Sequence, residues 1–542
     1  MKNNMVFRRF GTMLDCSRNA VMSVKSLKKW IDITADMGYN TLLLYTEDTY
    51  EVDDNPYFGY MRGRYSQEEI KEVDAYAASK GMELIPCIQT LAHLNAIVRW
   101  PAYSQHVDTK DILLAGDEAV YDLIDKMFVS ISKCFTSRII NIGMDEAHLI
   151  GRGKYYDLHG DTDRSQILVD HVKRVAEIGK KYGFTLAMWS DMFFRLAAGD
   201  NYYDSNAKIN EEIKEQIPDN VQLIYWDYYS TDKNHYDSML AAHEKIKEDT
   251  WFAGGLWSWP GMAPHNGYSM KSTAAALESC RKHGVQDVFL TMWGDDGGDC
   301  SKFAMLPVVF YAAELAKGNA NEADIKAKFK EKFGIDFDRF MLLDLPGTPG
   351  GAADQICNAD KYLLYNDCFT GLMDSLISGD ENEKYAKCAR RLSLLKKNED
   401  WGYLFAAQQA LCEVLAIKAE LGVKTRQVYA GKDKDALKAL IGDYKKVQKK
   451  LEAFYRAYKK QWLAENKPHG FDVQEIRIGG LMMRVRSCAE RLQELYDGEI
   501  EVIEELEEKQ LDFCGNGEAF GRKHMLFNDW AKIITANVLY WS

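Results

Sequence analysis

The sequence predicts an α/β fold: a (β/α)8 TIM barrel over residues 1–320, followed by an α-helical C-terminal domain over residues 321–542. Three observations predict it. Eight short apolar runs alternate with eight longer amphipathic ones over the first 320 residues, the element count of such a barrel. The β signal then disappears, and the turn-rich stretch Leu345-Pro346-Gly347-Thr348-Pro349-Gly350-Gly351 precedes long helical patterns. The first strand runs into Leu14-Asp15-Cys16-Ser17-Arg18, which lacks the glycine-rich phosphate loop of a doubly wound open sheet and makes that fold the weaker reading.

In order, strands are expected at Arg9–Asp15, Thr41–Thr46, Glu83–Ile88, Arg138–Ile142, Thr185–Trp189, Gln222–Trp226, Phe252–Trp257 and Asp287–Met292. Helices are expected at Ser23–Met37, Ser66–Lys80, Asp117–Cys134, Ser165–Tyr182, Asn206–Gln216, Asp232–Lys247, Ser269–His283 and Ser301–Lys317. Each helix candidate has apolar residues near period 3.6, and several begin on a capping Ser or Asp. Lys-Lys-Tyr-Gly at 180–183 and Arg-Lys-His-Gly at 281–284 place cations in a last turn and then a glycine, which is a helix stop. Past the break, helices are expected near 355–378, 382–396, 400–429, 433–466 and 472–510. The charge-dense Ile500–Gln510 reads as a solvated helix face, and Trp530 to Trp541 as apolar enough to dock.

A net charge of −13 argues against nucleic acid and against an anionic membrane surface as partners. No run of about 18 apolar residues offers a membrane span. Met1-Lys2-Asn3-Asn4-Met5 begins no apolar leader, and the eleven cysteines form no C-x-x-C pair, so reduced thiols in a cytoplasmic setting are expected.

The most informative segment is Ile139-Ile140-Asn141-Ile142-Gly143-Met144-Asp145-Glu146-Ala147-His148. An apolar strand stops at a glycine and delivers two adjacent carboxylates to the end of the barrel that carries chemistry. Its Asp-Glu-Ala-His spelling matches a helicase motor, but no G-x-x-x-x-G-K-[ST] loop accompanies it. Trp189, Trp226, Trp257 and Trp293 each stand at or just past one of the last four strand ends, with Trp259 close behind Trp257. Flat rings there suit a wall for the apolar C–H faces of a sugar. Polar candidates at the same end are Arg18, Glu47, Asp48, His93, Tyr228, Asp295, Asp296 and Asp299, with Arg18 and Asp295 as candidates for sugar hydroxyls. Metal-ligand spacing and a G-x-S-x-G elbow are both absent, so no cofactor is expected.

These elements, in this order, resemble glycoside hydrolase family 20, the exo-acting β-N-acetylhexosaminidases. Ile142-Gly143-Met144-Asp145-Glu146 resembles the family's H-I-G-G-D-E, and Leu84-Ile85-Pro86 through Ala92-His93 resembles its V-I-P-E-I-D-M-P-G-H. Met188-Trp189-Ser190-Asp191-Met192, Trp293-Gly294-Asp295 and Gly11 to Asp15 match three further family segments, so that the likeness covers about residues 6–317. The resemblance implies a retaining reaction in which the substrate's own acetamido group is the nucleophile. Glu146 would be the acid and base, and Asp145 would align the acetamido group. His93 would support Glu146, the four tryptophans would box the terminal sugar, and Asp295 would hold its O4 or O6. The substrate implied is a small oligosaccharide or glycoconjugate ending in GlcNAc or GalNAc.

Departures are visible. The family's arginine precedes the glycine, where this chain has Phe10, so Arg9 or Arg18 takes its role. Trp257-Ser258-Trp259-Pro260 replaces the family's Y-x-D, leaving Tyr228 for the acetamido oxygen, because residues 226 and 228 share a strand face; Tyr225-Trp226-Asp227 also spells Y-x-D, one strand early. The missing N-terminal non-catalytic domain and the helical region suggest a divergent bacterial, intracellular branch, with a homodimer through the helices as a further expectation. The competing readings are a retaining glycosidase whose nucleophile is Asp227 or Asp295, and a sugar-binding barrel without catalysis.

Overall fold

In a computed structural model, which describes residues 6–351, 356–515 and 525–532, eight parallel strands close into a barrel. They are β1 (Arg9–Asp15), β2 (Thr41–Tyr45), β3 (Glu83–Cys87), β6 (Ile139–Asn141), β7 (Thr185–Trp189), β8 (Val221–Asp227), β9 (Trp251–Gly255) and β10 (Asp287–Met292). A small antiparallel hairpin, β4 (Val107–Thr109) and β5 (Ile112–Leu113), is inserted after β3. Barrel neighbours follow chain order, and β10 closes on β1 with Gly11 opposite Phe289. The strands are buried on both faces, as helices on the outside of a parallel barrel require.

The helices begin where their caps put them. Ser23 accepts from Ser26 N and starts Val24–Met37; Ser66 and Glu69 make a reciprocal capping box ahead of Gln67–Ser79. Asp117, Asp163 and Asp232 cap Glu118–Cys134, Arg164–Lys181 and Lys233–Glu244. Both expected stops hold, after Lys181 and Lys282. Among the barrel helices one expectation fails in extent: only Glu211–Glu215 of 206–216 is helical, because Asn210, not Asn206, caps it by accepting from Glu212 N. A seven-residue helix, Asp191–Ala197, follows β7 at once and is too short for periodicity to reveal.

The chain divides into two compact units: Met1–Leu256, Ser269–Gly294 and Val308–Ile325, which contain the whole barrel, and Trp257–Tyr268, Asp295–Pro307 and Lys326–Ser542. The main helices of the second unit are Glu381–Ser393, Gly402–Lys418, Leu421–Gly431, Lys434–Glu465 and Phe471–Asp497. The pattern near 355–378, whose residue 355 lies outside the described residues, breaks after Ala359–Tyr365. There the Asn366 and Asp367 side chains take over the amides of Met373, Phe369 and Thr370. The last long helix ends at Gly498 (φ +78°), so that only Glu504–Glu507 of 500–510 is helical. Residues 533–541 of the apolar terminus also lie outside the described residues. Asp296 and Asp299 flank the buried Lys361 Nζ at 3.3 and 2.6 Å, an ion cluster inside this unit.

Candidate active site

β6 stops after three residues because the chain turns sharply. The Asn141 side chain accepts from Gly143 N at 2.9 Å, and Gly143, Met144 and Glu146 all have positive φ (+74°, +71° and +52°). This turn separates the two acids: the Asp145 side chain is 11% exposed and that of Glu146 is 40% exposed. Gly143 is required for space as well as for conformation. A Cβ there would lie 2.0 Å from Gln89 Oε1. That amide oxygen accepts from Met144 N at 3.1 Å, while Gln89 Nε2 donates to Asp145 Oδ1 at 2.7 Å and to Tyr45 Oη at 3.0 Å. Gln89 therefore orients Asp145, a role the sequence reading missed. The available signal was a polar residue inside the apolar run that leads to His93.

His93 Nε2 lies 3.3 Å from Asp145 Oδ2 and 3.6 Å from Glu146 Oε2, so the imidazole serves Asp145 more closely than Glu146. Burial disfavours its charged form, yet the Asp145 charge and hydrogen bond, with Glu146 behind, lift His93 to about 10, against the opposing charge of Arg18. For Asp145, burial pushes upward, but the His93 charge and the bonds from His93 and Gln89 hold the carboxyl below its ordinary range. The result is a buried carboxylate–imidazolium pair beside a more open glutamate.

Of the two candidate arginines, Arg18 is the one at this end. Its Nη2 lies 3.0 Å from Glu47 Oε1, which also accepts from Tyr45 Oη at 3.1 Å. Burial raises Glu47, with Arg18 and His93 working against the rise. Arg9 sits at the start of β1 and bonds Glu83 at 2.9 Å and Asp287 at 3.2 Å, the first residues of β3 and β10, so it belongs to the N-terminal rim. Asp48 is tied to Arg62 at 3.1 Å.

The helix Asp191–Ala197 adds two residues that sequence reasoning did not single out as functional. Asp191 Oδ2 accepts from Glu146 N at 3.0 Å and from Arg195 Nε at 3.0 Å, and Arg195 Nη2 lies 3.7 Å from Glu146 Oε1. Burial first, then the charges of Asp145 and Glu146, push Asp191 up to about 7 against the pull of Arg195. Asp191 thus holds the strained Glu146 backbone in place.

The aromatic candidates form two groups in the barrel unit. Trp189 lies 6.0 Å from Trp293, whose ring meets Tyr45 edge-on at 4.9 Å. Trp226 stacks on Tyr228 at 5.2 Å, in keeping with their shared face, and Tyr228 occupies the space left by Gly255. Trp257, stacked on Trp259 at 4.3 Å, and Asp295 belong to the second unit. Asp227 is fully committed: Oδ2 accepts from Tyr225 Oη at 2.8 Å and contacts His235 Nε2 at 2.7 Å, and Oδ1 accepts from Tyr229 N at 3.0 Å. Three bonds on a buried carboxylate leave it poorly placed as a nucleophile.

Residues 7–246 match the domain described as "Glycosyl hydrolase family 20, catalytic domain", and residues 338–525 match "Glycoside Hydrolase 20C C-terminal domain". The chain is 24% identical to "Hexosaminidase D" of Bos taurus over 273 residues, which is 46% of this chain and 70% of the bovine protein. It is 30% identical to "Beta-hexosaminidase" of Vibrio furnissii over 137 residues, 23% of this chain and 21% of that enzyme. Among solved structures it is similar to the exo-β-N-acetylglucosaminidase of Vibrio harveyi in complex with N-acetylglucosamine. The TM-score is 0.47 and the identity 16%, covering 62% of this chain and 58% of that one.

Proposed function

The chain belongs to glycoside hydrolase family 20, and from that premise we propose that this glycoside hydrolase is an exo-acting β-N-acetylhexosaminidase. It removes terminal, non-reducing β-linked N-acetylglucosamine or N-acetylgalactosamine from small oligosaccharides or glycoconjugates by a retaining, substrate-assisted route. The observation that carries this reading is the division of the acid pair: a buried Asp145 held ionised by His93 and Gln89, next to a half-open Glu146.

Glu146 protonates the glycosidic oxygen as the bond to C1 breaks. Asp145 accepts the acetamido N–H, so that the acetamido oxygen attacks C1, and its negative charge stabilises the oxazolinium. Glu146 then takes a proton from the water that reopens the ring, and the β configuration is kept. Arg18 binds sugar hydroxyls, Tyr228 meets the acetamido oxygen, and Trp189, Trp226 and Trp293 wall the ring. The three bonds already made by Asp227 favour the acetamido group over that protein carboxylate as nucleophile. Eleven free thiols support a reducing, cytoplasmic location.

The test compares release of nitrophenol from β-GlcNAc, β-GalNAc and β-glucose conjugates. Turnover of N-acetyl conjugates, inhibition by an oxazolinium-mimicking thiazoline and a loss of about 10²–10⁴-fold in Glu146→Gln are expected. Equal turnover of the glucoside, or full activity in Glu146→Gln, would overturn the proposal.

A further inference from the structure

An exposed aromatic platform stands on the loops that follow β2 and β3, at the barrel end that carries Arg18 and Glu47. Tyr57 and Tyr60 are 46% and 43% exposed. Their rings lie 6.2 Å apart, and Trp100 lies 5.6 Å from the first and 5.7 Å from the second. Arg99 approaches the Trp100 ring to 5.0 Å, so the tryptophan backs the two tyrosines, which carry most of the exposure.

The tyrosines sit on the loop after β2, and Trp100 follows His93 on the loop after β3. Both loops leave C-terminal strand ends, where barrel enzymes build their sites. The β2 loop is rigidly mounted. Arg62 bonds Asp48 at 3.1 Å, Asn19 Oδ1 at 2.9 Å and the Ser17 carbonyl, residues that flank Glu47 and Arg18. Gly59 (φ +66°), between the tyrosines, lies so close to the Asp48 carbonyl that a Cβ would come within 2.3 Å of it. The loop that carries the rings is thus anchored against Asp48, next to Glu47 in the chain, before any ligand arrives, which lowers the ordering cost of binding.

We propose that Tyr57 and Tyr60, backed by Trp100, form the subsite for the reducing-side sugar, the residue on the leaving-group side of the cleaved bond. This rests on the glycosidase reading above. Sugar rings present apolar C–H faces rimmed by hydroxyls, which rings with phenolic edges match. Three rings within about 6 Å of one another span one or two pyranoses, whereas a protein partner needs roughly 800 Å² on each side.

The experiment measures kcat/KM for methyl β-GlcNAc, diacetylchitobiose and triacetylchitotriose with the wild type, Tyr57→Ala/Tyr60→Ala and Tyr57→Phe/Tyr60→Phe. The wild type should prefer the longer substrates. The alanine variant, which removes two rings, should lose about tenfold or more on them and keep its rate on the methyl glycoside. The phenylalanine variant should retain the preference. A wild type without chain-length preference, or one whose preference survives both alanines, would overturn the subsite. No hydrolysis of any of the three substrates would instead overturn the underlying function.

Discussion

Asp145→Asn tests the electrostatic core of the site. Raising His93 from its ordinary 6.5 to about 10 corresponds to roughly 5 kcal/mol of preference for the imidazolium. Unit charges 3.3 Å apart attract by roughly 5 kcal/mol at an effective dielectric of 20, so the Asp145 charge is of the size required, with its hydrogen bond and Glu146 offsetting burial and Arg18. The folded value lies above the unfolded one, so the stability it contributes is fully present below about pH 6.5 and is lost as pH rises toward 10. Between pH 7.5 and 9.5 the loss should be about 2.5 kcal/mol. Asp145, held below its ordinary range, acts in the opposite sense: its contribution is present above about pH 4 and lost on acidification. The assay is urea unfolding of wild type and variant across pH 7.5–9.5, with the His93 ring followed by NMR. In the variant His93 should fall toward 6.5, held partway by Glu146, and the pH slope should shrink to less than half. An unchanged slope, or a wild-type His93 that titrates near 6.5, would refute the reasoning.

Gly143→Ala forces a side chain into a φ of +74° and into the place of Gln89 Oε1. It should cost about 1–3 kcal/mol of stability and lower kcat by about tenfold or more as Asp145 loses its orienting bond, measured by thermal unfolding and steady-state kinetics. The two arginines should separate cleanly. Arg18→Met should weaken substrate binding by about 10–100-fold, the worth of a charged hydrogen bond. Arg9→Met should leave KM and kcat unchanged and lower stability by roughly 1 kcal/mol, because its partners are Glu83 and Asp287 on the opposite rim.

The strands were readable because a parallel barrel buries both faces, so β2 and β7 appear as near-continuous apolar runs in any context. Helix starts were readable where a Ser or Asp caps the first turn, as at Ser66 and Asp117. The Asp191–Ala197 helix was not, since seven residues directly after a strand leave no period to detect. Arg9 and Arg18, nine residues apart, already stood at opposite ends of the expected first strand; what stayed hidden was their partners, which meet them only once the strands align.

By itself the sequence determined the alternation of strands and helices, the placing of Asp145 and Glu146 at a strand end, and the ordered segments that mark the family. These depend on local patterning and on residue spacing along one element. Only the tertiary structure decided which groups set the state of that pair. Gln89, His93, Arg18, Asp191 and Arg195 come from three different strand ends, and they converge on the pair only when the barrel closes. Once they are buried together, desolvation and short-range charge set their protonation, and neither can be read from the order of residues along the chain.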